Sequence, residues 1–82
     1  MYQEVGESIK VLAGFNKGKI NPLVFVWSGK EYRVDKVNLF YQERQGKSLN
    51  YYFSVETKSG GVFKLKYNDE GLAWTLEEYW LE

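Results

Sequence analysis

At 82 residues, with 11 basic and 11 acidic side chains in formal balance, the chain is long enough for one small domain and no more. Hydrophobic residues make up 44% and aromatics 18%, enough large rings to build a core in so short a chain, which argues against disorder. Cysteine and histidine are both absent, which removes disulfides, thiolate metal sites, the commonest general base and the commonest neutral metal ligand.

In chain order, Ile9, Val11, Ala13 and Phe15 alternate with polar or small residues, so a first strand is expected near residues 7–15, with a short helix over Val5–Leu12 as the alternative. GFNKGKI at Gly14–Ile20 has three residues between its glycines and Ile20 after Lys19. It therefore lacks the spacing and the Ser or Thr of a phosphate-binding loop and reads as a hairpin turn. Pro22 cannot donate a ladder hydrogen bond and should begin a strand or lie on an edge. Ser28-Gly29 makes a two-residue turn that opposes Phe25 to Tyr32 and Leu23 to Val34. Beyond it the apolar positions switch from even (Tyr32, Val34) to odd (Val37, Leu39, Tyr41), the signature of a β-bulge at Asp35-Lys36. Gln42–Asn50 reads as a long polar loop. A loop at Ser59-Gly60-Gly61 would oppose Val55 to Leu65 and Phe53 to Tyr67, and one at Asn68–Gly71 would oppose Leu65 to Trp74 and Phe63 to Leu76. The sum is an all-β domain of five or six strands over residues 1–82, a small antiparallel barrel or strongly bent meander of SH3-like or OB-like type. Its expected core is Phe25, Tyr32, Val34, Leu39, Phe53, Val55, Phe63, Leu65, Trp74 and Leu76. The closing Leu81-Glu82 has the look of a tag scar and is given no functional weight.

All the cations fall between Lys10 and Lys66, where only Glu31, Asp35, Glu43 and Glu56 oppose them, whereas both ends are acidic. A basic middle suits a polyanion, but an acidic tail lying beside it in the fold would explain the same pattern. The paired acids Glu77-Glu78 and Asp69-Glu70 make no acid–base dyad: such work needs carboxylates converging across a cleft, whereas neighbours on a strand point to opposite faces and adjacent surface acids serve solubility. No histidine is present to activate Ser or Thr, so no enzyme, cofactor or metal site is expected. No apolar run is long enough for a membrane-spanning helix, and the N-terminus has no signal-peptide core, so a cytoplasmic protein without a membrane partner is expected.

The outer sheet face holds the binding candidates. With Leu39 opposite Phe53, Phe40 and Tyr52 become an outward aromatic pair, and Glu56 lies between Lys36 and Lys64. The candidate surface is Phe40, Tyr52, Lys66, Arg44, Lys47 and Arg33, with rings for stacking and cations for phosphate. Two functions fit: a non-catalytic module that binds a protein through a sheet edge (the Pro22 strand or the first strand), or a weak, sequence-tolerant binder of single-stranded nucleic acid. A monomer, or a weak dimer through an edge strand, is expected.

FVWSGKEYRV at Phe25–Val34, YYFSV at Tyr51–Val55, VFKLKY at Val62–Tyr67 and AWTL at Ala73–Leu76 together resemble a family of short bacterial domains of unknown function. The resemblance spans about residues 22–80. It implies the all-β fold, and, because related domains occur beside Y-family polymerase-like proteins, a DNA-linked role. It carries no catalytic residues to this chain.

Overall fold

Alternation of apolar and polar residues, punctuated by tight turns, gives six strands in the computed structural model, which describes residues 1–81. They are β1 (Tyr2–Asn16), β2 (Lys19–Trp27), β3 (Lys30–Gln45), β4 (Ser48–Thr57), β5 (Val62–Asn68) and β6 (Ala73–Trp80). Each pairs antiparallel with the next, and β6 returns to β1, closing a barrel. The region left open between strand and helix is strand: β1 begins at Tyr2, earlier than expected, and runs on to Asn16. No helix among the described residues is long and apolar enough to cross a membrane.

Three of the connections are two-residue turns. Lys17-Gly18 and Ser28-Gly29 have positive φ at both central positions, the condition for a type I′ turn matched to strand twist. Ser28-Gly29 sets Phe25 opposite Tyr32 as expected, although the β2–β3 pairing stops at Val24 and Arg33, short of Leu23 and Val34. The third turn, Gly46-Lys47, replaces the long polar loop expected over Gln42–Asn50, because β3 and β4 stay paired out to Gln45 and Ser48.

The other two hairpins are each displaced by two residues from the sequence-based register. Val55 faces Phe63 and Phe53 faces Leu65; Leu65 in turn faces Leu76, and Tyr67 faces Trp74. In the first, Thr57 closes the loop one residue earlier than expected: Gly60 N–H donates to Thr57 O at 3.0 Å and Thr57 Oγ1 donates to Gly60 O at 2.5 Å. In the second, positive φ falls on Leu72 rather than on Gly71. A slip of two leaves every side chain on its original face. The core therefore survives: Phe25, Phe53, Val55, Phe63, Leu65 and Leu76 are buried, with Tyr32, Val34 and Trp74 half-buried against them.

Leu39 is the exception. It was expected in the core and is 56% exposed. The bulge at Asp35 is present, between Val34↔Thr57 and Lys36↔Glu56, but a second one follows between Val37↔Val55 and Leu39↔Ser54. Asn38 is the extra residue there, and beyond it the strand's faces are exchanged relative to the expected alternation.

Pro22 is buried inside β2 rather than at its start, next to a bulge where Ala13 pairs with Pro22 and Leu12 with Val24. At that point β2 has no ladder to β3, so the missing N–H breaks no bond on that side. Leu81, set aside as tag-like, packs against the core and its amide donates to Met1 O at 2.8 Å. Glu82 lies outside the described residues.

Candidate functional site

The six candidate residues do not form one surface. After the second bulge Phe40 pairs with Phe53 and turns to the inner face, its ring centroid 5.1 Å from that of Phe53 and 6.3 Å from that of Tyr51. Tyr52 stays on the outer face opposite Tyr41, with the two rings stacked at 4.8 Å. Arg44, opposite Leu49, shares the Phe40 face, and Lys47 sits in the turn at the end of β3. Arg33 lies elsewhere, on the exterior of the β2–β3 junction, 3.5 Å from Glu31.

The outer face is largely satisfied from within. Lys64 Nζ lies over the Tyr41 and Tyr52 rings, at 5.6 and 5.1 Å, and 3.9 Å from Glu78. Its hydrogen bond to Tyr41 is the main influence raising its pKa, against an opposing effect of burial. Burial, followed by Glu43 and Glu77, raises that of Tyr52. Lys66 pairs with Glu77 at 3.9 Å, and Lys36 with Glu56 at 3.3 Å. A hydrogen bond from Asn38, then the Lys36 contact, holds the Glu56 carboxyl below its usual range. The acidic β6 thus lies against β5 and offsets two cations of the basic stretch, Lys64 and Lys66. Tyr52→Ala should cost about 0.5–1.5 kcal/mol, the value of an aromatic pair, and leave the fold intact. A urea melt checks this, and loss of folding would contradict it.

A hollow of about 410 Å³ on this side is lined by Tyr2, Leu39, Tyr41, Lys64, Glu78 and Trp80, so its aromatic wall already has a cation in Lys64. Tyr2 has its pKa pushed from 10.0 to about 12, first by a hydrogen bond to Glu78, with Glu4 3.5 Å away adding to the effect. Because the folded value is the higher one, the stability this interaction contributes is complete below pH 10 and is lost as pH rises toward 12. Phenolate absorbance should show one tyrosine ionising near pH 12, a step that Tyr2→Phe removes. An unchanged absorbance step near pH 12 in Tyr2→Phe would contradict this.

The opening in the molecule is on the other side. β2 meets β3 only over Val24–Trp27 against Lys30–Arg33. From Val34 to Gln45, β3 has β4 along one edge and no ladder along the other, and Lys19–Leu23 of β2 has only β1. The side chains of β3 from Asp35 to Gln45 are all exposed. Between the two separated edges runs a groove of about 470 Å³ with Ile20, Val37, Phe40, Tyr51 and Phe53 as its apolar wall and Lys19 and Gln42 as polar lining. Phe40 is 47% exposed there.

The charges around this groove are left unneutralised, unlike those of the outer face. Lys19 lines it, Lys17 precedes it in the β1–β2 turn, Arg44 continues the Phe40 face, and Lys47 lies in the turn that follows β3. Among the described residues, none of these four has a carboxylate within ion-pair distance. Sequence reading named Phe40, Arg44 and Lys47 but missed Tyr51, Ile20, Lys17 and Lys19. It placed the free edge on β1 or on the Pro22 strand: β1 pairs with β6 over Tyr2–Ile9 and with β2 over Lys10–Asn16, each half having one ladder partner, and the first half of β2 likewise lacks a second partner. Two cations flanking Gly18 were the available signal for the rim. The groove's lining offers apolar contact, hydrogen bonding and positive charge, and no cluster of His, Cys, Asp or Glu suited to a metal occurs among the described residues. No family model, curated protein or solved structure matches the chain.

Proposed function

We propose that the chain is a cytoplasmic, non-catalytic interaction module that binds a protein partner in the groove between β2 and β3, the partner adding a strand to β3. The observation that carries this reading is the edge of β3 from Val34 to Gln45, which has no ladder partner beside an apolar groove. An edge strand presents a row of backbone N–H and C=O groups that an extended peptide satisfies, while pockets beside it select alternate side chains. The two bulges at Asp35 and Asn38 blunt the first part of that edge, leaving Leu39–Gln45 as its regular part.

A second reading is favoured by a specific observation as well: the Phe40 and Tyr51 rings stand beside cations that no carboxylate offsets, an arrangement suited to weak stacking of single-stranded nucleic acid. The test is a titration of isotope-labelled protein with peptides selected on it from a random library, and separately with short DNA and RNA oligonucleotides at low salt. Protein binding at β3 predicts peptide-induced shifts over Leu39–Gln45 together with slowed amide exchange there. Shifts at Phe40, Tyr51, Arg44 and Lys47 caused by oligonucleotides alone would replace it with the second reading.

A further inference from the structure

The charges around the groove specify its occupant more narrowly. Resting on the protein-binding reading above, we infer that the groove takes an extended acidic segment, antiparallel to β3, with its carboxylates at the Arg44 end and its apolar residues at the Phe40 end. The side chains of β3 that border the groove run Phe40, Gln42, Arg44, since Phe40 pairs with Phe53, Gln42 with Tyr51 and Arg44 with Leu49 on one face. A strand added antiparallel sets its own residues directly opposite these, with Cβ atoms about 4.5–5.5 Å away. Opposite Phe40, beside Ile20, Tyr51 and Phe53, an aliphatic side chain is buried. Opposite Arg44 a carboxylate is within reach of a cation that has no partner among the described residues, and Lys19, Lys17 and Lys47 add to the same field.

The same cations would attract phosphate, but a nucleic-acid backbone offers almost only acceptors. It would leave the outward C=O groups of β3 unpaired, whereas a peptide strand supplies both donors and acceptors at the ladder spacing. On the other face of the added strand, Leu39 and Tyr41 are exposed apolar partners and Glu43 is an acid. The position opposite Glu43 therefore disfavours a second acid, so the carboxylates fall on alternate residues.

The probe that fits this register is the capped peptide acetyl-Glu-Thr-Glu-Val-Val-Val-amide. It is compared with versions carrying Gln or Lys in place of both Glu residues and with an oligothymidylate of matched length, each titrated against labelled full-length protein at low and physiological salt. The Glu peptide should bind, shift the amides of Leu39–Gln45 and weaken with salt. Lys19→Gln and Arg44→Gln should each lower its affinity about two- to fivefold, the range of an exposed ion pair, and the Lys peptide should bind much more weakly than the Gln peptide. Equal affinity for the Glu and Gln peptides at β3 would overturn the acidic specificity while leaving the strand-addition reading standing. Binding of the oligothymidylate with none of the peptides would overturn both, and so would the absence of any shift at millimolar peptide.

Discussion

Phe25→Ala is expected to cost about 3–5 kcal/mol, the range for truncating a buried phenylalanine, which is much of the stability a domain of this size has. Phe25 is fully buried. Its ring stacks on Tyr32 at 5.0 Å and meets Phe63 edge-on at 5.2 Å, and Tyr32 itself lies 5.1 Å from Phe63. These three rings tie the short β2–β3 pairing to β5, so the substitution removes packing where the barrel closes over the fewest ladder bonds. Thermal melting by circular dichroism should show a midpoint lowered by at least about 12 °C. Trp74→Ala should cost less, because Trp74 is only half-buried over Phe53 and Tyr67. A Phe25→Ala chain melting within a few degrees of the parent would show that the closure does not depend on this cluster.

Gly61→Ala is expected to be the most damaging of the glycine substitutions, at about 2–3 kcal/mol. Its backbone has φ +91°, a region that side chains other than glycine's rarely occupy. An added Cβ would also stand 2.5 Å from Leu81 Cδ2 and 3.1 Å from Phe63 Cε1. Leu81 can turn away, but the Phe63 ring is a wall of the core and cannot yield without disturbing its neighbours. Gly60→Ala is the control: φ is +98° with nothing within 4 Å, so it carries the backbone strain alone. Urea denaturation should rank Gly61→Ala clearly below Gly60→Ala, and equal midpoints would contradict the steric part of the argument.

Much of the fold was legible because alternation constrains faces more strongly than register. The β4–β5 and β5–β6 pairings each differ from expectation by two residues, yet Phe53, Val55, Phe63, Leu65 and Leu76 still point inward, since only an odd slip changes a face. Ser28-Gly29 could be placed because its two residues leave no freedom in loop length. The site was less legible, and the reason is local. Val37-Asn38-Leu39-Phe40-Tyr41 has apolar residues at both parities, so its hydrophobic pattern does not reveal that Asn38 is looped out. That single residue decides whether Phe40 stands beside Tyr52 or beside Tyr51 and Phe53. The groove was hidden for a different reason: it arises where two strands part, a tertiary event with no period in the sequence.

The claim on which the functional reading stands is that β3 is an open edge beyond its short junction with β2. Residue-resolved hydrogen exchange of the free protein measures this directly. In an antiparallel edge strand every second amide bonds its neighbour and the rest point outward. The amides of Leu39–Gln45 should therefore alternate between slow and fast exchange, while those of Tyr52–Val55 in β4, flanked by β3 and β5, are protected without interruption. Unbroken protection along Leu39–Gln45 would mean that β3 is covered on both sides, and the proposed docking edge would not exist.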